Sequence, residues 1–142
     1  MSLDISLIKT LAVANELGEG VIWDDNRSCI WWTDILQLTL YRYEPESEKL
    51  IRYPTPERLC CFTPVQDNQC LLAAFASGFA FFDPETGAVE WIKKIEEDNP
   101  GTRLNDGKTD RQGRFWGGTM VEDPERAKYK GKLYCVDHEL AI

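Results

Sequence analysis

The chain has 142 residues, a formal net charge of −8, and 43% hydrophobic and 11% aromatic residues. That composition supplies one packed core and excludes a disordered chain. An acidic balance without a basic patch argues against a nucleic-acid partner, and no apolar run approaches the roughly 20 residues of a membrane-spanning helix.

Residues 1–14 lack a basic segment followed by a long apolar core, so no secretory leader is expected there. From there on, helical periodicity is scarce. Short runs rich in Trp, Phe, Tyr, Ile and Val alternate with turn residues every eight to twelve positions, a pattern of antiparallel strands. In chain order they are "GVIW" from residue 20, "CIWWTDI" from 29, "LTLYRYEP" from 38 and "KLIRY" from 49. "CLLAAF" from 70, "GFAFFDP" from 78, "AVEWI" from 88, "GRFWGGTM" from 113 and "KLYCVD" from 132 follow.

Stacking these runs exposes a repeat. "IWDDNRSCIWWTDI", "PVQDNQCLLAAFAS" and "KTDRQGRFWGGTM" each read as strand, polar turn and strand, with Asp24, Asp67 and Asp110 in the turns at intervals of 43 residues. The hairpin that follows repeats too. "LYRYEPESEKLIRY" resembles "FAFFDPETGAVEWI", and "LYCVDHELAI" begins a third copy. Proline and glycine in these turns suit tight connections. A four-stranded unit of this length is the signature of a β-propeller blade; a single β-sandwich with accidental repetition is the alternative. The expectation is an all-β chain of about two and a half to three blades, with repeats at about 17–58, 59–101 and 102–142. Residues 1–142 then form the N-terminal part of one propeller domain. Three blades cannot close a ring of four to eight, so a fragment or an assembly of copies is expected.

The cysteines, Cys29, Cys60, Cys61, Cys70 and Cys135, are odd in number and contain no CxxC pair. They read as reduced, mostly buried thiols of a cytoplasmic protein, with neither a disulfide framework nor a structural zinc site. His138 is given no role. Trp23, Trp31, Trp32 and Trp116 read as packing between blades.

Two stretches carry candidate chemistry. "GEG" puts Glu19 at the entry to the first inner strand, where a carboxylate faces either a channel or solvent; on spacing alone the permissive turn with a solvated acid is favoured. "RLNDGK", from 103, lies at the equivalent place in the third repeat. Arg103 can clamp oxygens with its fork of donors, and Asn105 offers a donor and an acceptor. Asp106–Gly107 reads as an Asx turn and Lys108 as solvated.

"LGEGVIWDDNRSCIWWTDI" and "RLNDGKTDRQGRFWGGTM" together resemble the N-terminal signatures of the regucalcin-like senescence marker protein/gluconolactonase/luciferin-regenerating-enzyme family, from about Leu17 to Asp137. The resemblance implies a six-bladed propeller with one divalent cation, Ca²⁺ or Zn²⁺, in its channel. It implies a metal-dependent hydrolase of gluconolactone-type sugar lactones. Glu19 would be a metal ligand, and Arg103 and Asn105 would contact substrate. The remaining ligands, including the Asp that serves as base, would lie beyond Ile142, so no catalytic base is expected in this chain and it should be incomplete as a catalyst alone. Val21 stands where the family commonly has Pro. A further substrate-contacting Glu of some relatives has no clear match: Ala127 falls near it, and Glu122 and Glu125 are close by. Two other readings remain. One is a calcium-binding regulatory propeller without catalysis; the other is an interaction protein that self-associates through exposed blade edges.

Overall fold

The computed structural model describes residues 6–66 and 69–142, so Asp67 of the repeat lies outside the described residues. The strands form three antiparallel sheets in simple up-and-down order. The first holds β1 (Gly18–Asp24), β2 (Cys29–Asp34), β3 (Thr39–Glu44) and β4 (Lys49–Pro54). The second holds β5 (Leu59–Pro64), β6 (Leu71–Phe75), β7 (Gly78–Phe82) and β8 (Val89–Lys94), and the third β9 (Thr102–Thr109), β10 (Phe115–Val121) and β11 (Leu133–Val136). The first strands of the sheets sit side by side, β5 touching both β1 and β9. The sheets therefore radiate from a common edge as propeller blades do.

Alternation along each strand builds two cores, one between each pair of blades. Trp31, Leu40 and Tyr53 of the first blade meet Leu59, Phe62, Leu71, Phe75 and Phe82 of the second. From the other face of the second blade, Ala74 and Phe79 meet Leu104, Phe115 and Val136 of the third. Phe79 and Phe115 touch edge to face with centroids 6.2 Å apart. Truncating a Phe in such a core costs about 3–5 kcal/mol, whereas an exposed ion pair such as Arg42–Glu85 contributes about 0–1 kcal/mol. The aromatic layers, not the surface charges, hold the blades together. Of the four tryptophans read as blade packing, Trp31 lies in the core between the first and second blades. Trp32 stacks on Tyr41 on the opposite face, where Leu11 and Val13 of the N-terminal segment cover it. Trp23 is half exposed, and Trp116 lies under Arg114 with its indole N–H donating to Asp110.

One device closes most of the turns. An acidic residue ends the strand, and a residue of positive φ follows three or four positions later. Asp24 precedes Ser28, Asp34 precedes Leu38, Glu44 precedes Glu48, Asp83 precedes Gly87, and Asp110 precedes Gly113. Asp24 accepts backbone N–H bonds from Asn26 and Arg27, and Asp110 accepts them from Gln112 and Arg114. Asp34, fully buried, also accepts from the amides of Glu16 and Leu17 and so fastens the N-terminal segment to the first blade. Burial pushes its carboxyl up, yet these amide donors hold it below its ordinary value.

The stretch 102–109, read as polar groups beside an Asx turn, is instead the eight-residue strand β9. Gly107 is there for close approach and not for a turn: a Cβ on it would run into the Trp116 carbonyl oxygen and Cys61 Sγ. By contrast, Gly87 has nothing within 4 Å of its Cβ position but sits at φ 75°. Gly87→Ala should therefore cost only the left-handed penalty, about 1–2 kcal/mol. Gly107→Ala should cost more, about 3 kcal/mol or above, because backbone has to move. Thermal unfolding of the two variants compares them, and equal losses would show that crowding between inner strands does not matter at Gly107.

Candidate functional site at the channel mouth

Every inner strand carries a β-bulge near its start. The pairing register skips one residue at Gly20–Val21 in β1, at Cys60 in β5 and at Asn105 in β9. A bulge re-aims side chains and bends the strand. It falls where the blade edges converge, beside the residues singled out from the sequence. Below the bulges, equivalent stretches of the three strands (20–23, 61–64 and 106–109) line a cavity of about 420 Å³.

Arg103 and Asn105 are brought together. The Arg103 side chain is buried, its Nη1 donating to the Leu104 carbonyl oxygen at 2.9 Å and to Asn105 Oδ1 at 3.1 Å. Its Nε donates to Glu122 Oε1 at 2.8 Å, and Arg58 Nη1 donates to the same oxygen at 2.6 Å. One carboxylate thus orients two guanidinium groups across the seam between the second and third blades. Asn105 takes part in that contact through Oδ1, which leaves its amide N–H₂ outside it. Cys60 Sγ lies 3.9 Å from Arg103, but burial outweighs the cation and pushes its thiol up to about 11. Cys61 is pushed up as well, by burial first, so neither is a nucleophile at neutral pH. Asp106 accepts only the N–H of Gly107, and Lys108 is exposed.

Glu19 sits half-buried in β1 opposite Thr33, separated from Arg103 by the intervening strand β5. Among the described residues no ion pair joins it to Arg103. Among the described residues no group of three or more His, Cys, Asp or Glu side chains is placed to hold a metal ion. Ca²⁺ takes about six to eight oxygens, so Glu19 alone does not fit as a complete metal site.

Sequence reasoning passed over Glu122 and missed Arg58. The signal for Arg58 was a second copy of a short pattern: Arg58-Leu59-Cys60 and Arg103-Leu104-Asn105 each place an arginine two residues before the bulge. Nothing local marks Glu122, which reaches the site only because β10 returns antiparallel beside β9.

Blades converging on a channel whose mouth holds a carboxylate, a buried guanidinium and a carboxamide define part of a β-propeller with a polar binding face. The chain belongs to the SMP-30/Gluconolactonase/LRE-like family, whose pattern matches residues 17–142. It is 38% identical over 128 residues to L-arabinolactonase of Azospirillum brasilense, covering 90% of this chain and 42% of that protein. To regucalcin of Danio rerio it is 30% identical over 128 residues, covering 90% of this chain and 43% of the relative. The crystal structure of a calcium-binding protein, regucalcin, from Agrobacterium tumefaciens superposes with a TM-score of 0.75 at 29% identity. That match covers 86% of this chain and 40% of the solved one. The chain thus spans about 40% of the length of the relatives it matches.

The Glu122 carboxyl is held below its ordinary value of 4.5 by the hydrogen bond from Arg58 first, against burial, with Arg103 adding to it. A depressed folded-state value gives stability that is present above the ordinary value and lost as pH falls through the folded one. Glu122→Gln should therefore lower the unfolding temperature at neutral pH, and the gap to wild type should close below about pH 4.5. Thermal melts across that range check it. A gap that stays constant with pH would mean the ion pairs contribute nothing there.

Proposed function

We propose that the protein containing this chain hydrolyses sugar lactones of the aldonolactone class, with residues 1–142 supplying the N-terminal part of a single propeller domain in repeats of about 17–58, 59–101 and 102–142. The observation that carries this reading is the Arg103–Asn105 pair, fixed at the channel mouth by Glu122, in a chain of the SMP-30/Gluconolactonase/LRE-like family. A lactonase among the relatives supports the substrate class.

In this reading Arg103 faces the lactone carbonyl, where a fixed cation stabilises the negative charge that develops on oxygen as water adds. The free N–H₂ of Asn105 donates to a ring hydroxyl and sets the orientation of the sugar. Glu19 is one carboxylate ligand of a divalent cation, Ca²⁺ or Zn²⁺, whose other ligands and the catalytic base lie outside this chain. When bound, such a cation polarises a carbonyl and acidifies water. Three buried thiols, Cys29, Cys60 and Cys61, fit a reducing compartment, and the cytoplasm is the proposed location. A second reading, calcium binding without turnover, is favoured by the calcium-binding description of the Agrobacterium protein.

Hydrolysis of D-glucono-δ-lactone and L-arabinonolactone by the full-length protein, with calcium, with zinc and with a chelator, separates the two readings. Turnover that needs a metal is expected. Arg103→Lys should lower kcat/KM by about a hundredfold, the cost of losing a positioned donor. Glu19→Ala should remove the metal dependence together with the activity, and wild-type turnover in that variant would sink the assignment. Tight calcium binding with no turnover of either lactone would favour the regulatory reading.

A further inference from the structure

A second cavity, of about 430 Å³, opens between the second and third blades on the same face as Arg103, and both of its walls belong to this chain. That volume lies in the range of small-ligand sites. Three carboxylates, Glu57, Glu96 and Glu97, and three cations, Arg58, Lys94 and Arg103, line it. With Glu122 behind the arginines, these groups carry one more negative than positive charge and so disfavour an anion. They do present an alternation of strong acceptors and strong donors, which suits the hydroxyl groups of a neutral polyol.

The hydrogen bonds leave room for such a ligand. Ser77 Oγ donates to Glu57 Oε1 at 2.6 Å and Lys94 Nζ donates to the same oxygen at 3.0 Å, so Glu57 Oε2 is left over as an acceptor. Glu122 repeats the arrangement behind the cavity, with both arginines on Oε1. On the far wall Glu96 is held in place by Thr119 Oγ1 at 3.0 Å and the Tyr134 hydroxyl at 2.9 Å on Oε1 and by Thr102 Oγ1 on Oε2, so the acceptor left for a ligand is that of Glu57. The side chains of Glu57 and Lys94 are 29% and 36% exposed, within reach of a ligand from solvent.

We propose that this cavity, which Arg103 lines, is a subsite for a neutral polyhydroxylated group. Its occupant is a glycosyl unit carried by the aldonolactone, so the substrate class extends to lactones of two linked sugar units. No aromatic ring lines the cavity, so hydrogen bonds along the edge of the sugar hold it, without a stacking platform.

The proposal rests on the sugar-lactone reading of the neighbouring site, and the test keeps the two apart. Isothermal titration of the full-length protein that contains this chain compares sorbitol, a single six-carbon polyol, with maltitol, the same polyol bearing a glucosyl unit. Maltitol should bind about tenfold tighter, the equivalent of one or two added hydrogen bonds. Ser77→Tyr, which fills the cavity, and Lys94→Met, which removes a donor with little change of size, should each bring maltitol down to the sorbitol affinity, with native near-ultraviolet circular dichroism as the check on folding. Equal affinities in the wild type, or a preference that survives both substitutions, overturns the proposal. Turnover of D-glucono-δ-lactone is measured alongside. Turnover without the maltitol preference sinks the subsite alone, whereas the preference without turnover upholds the subsite and sinks the lactonase reading.

Discussion

The crowding of three first strands against one another is the constraint on which the rest of the structure depends. Blades radiate only if their inner edges approach closely, and here β5 touches β1 on one side and β9 on the other. Close approach forbids bulk in places: Gly107 lies hard against Cys61 and the Trp116 carbonyl, and Gly117 lies against Phe79 and Leu104. Hydrogen bonds between blades mark how tight the seams are, with Thr33 Oγ1 donating to the Leu59 carbonyl at 2.9 Å and the Leu104 amide to the Ala76 carbonyl at 3.0 Å. Strands this close must also bend away from the axis at one end, and the bulges at Gly20–Val21, Cys60 and Asn105 supply the bend. The polar lining of the cavity follows from the packing: beyond the bulges, side chains such as Asp106 and Lys108 line it.

The outer part of each blade obeys a looser rule. Its turns need only an acid at the strand end and a left-handed residue before the next strand, and the identity of the left-handed residue varies. Gly87 and Gly113 adopt it without penalty, while Ser28, Leu38 and Glu48 adopt it at a cost of about 1–2 kcal/mol each. Blade cores rich in Trp, Phe and Tyr absorb that cost. This explains why a repeat with a 43-residue period can be followed in the acids while the residues around them drift.

The same physics decided what was legible in the sequence. The middle strands bury one or both faces, so their apolar runs stand out, and the hairpin from Phe79 to Ile92 reads directly as two strands around "DPETGA". Inner strand β9 is the opposite case. It lines the cavity with Asp106 and Lys108 and packs through Leu104, the buried Arg103 and its single glycine, so it has no hydrophobic alternation to read. Asp106–Gly107 mimics a turn there because glycine serves two different needs, positive φ and close approach. Arg103 and Asn105 were legible as chemistry without being legible as a strand. Glu122 and Arg58 were not, because their meeting depends on antiparallel pairing of β9 with β10 and on the seam between blades, both set by contacts distant in sequence.

Pairing Arg103 with Glu122 also limits what the guanidinium can attract. A free buried arginine would hold any carboxylate tightly, including the aldonate that lactone opening releases. Glu122, 2.8 Å from Nε and shared with Arg58, offsets part of that charge, and a second carboxylate entering the site meets repulsion from the first. A neutral lactone meets none. Its carbonyl can still draw on the remaining N–H donors of Arg103, since a charge that develops during reaction is felt at short range. In a site that takes a lactone, the ion pair therefore favours the neutral substrate over the anionic product, and Arg58, on the same carboxylate oxygen, keeps Glu122 ionised so that the discrimination persists at low pH. In the proposed lactone site, the bond that fixes the geometry of Arg103 thus also weighs against the anionic product.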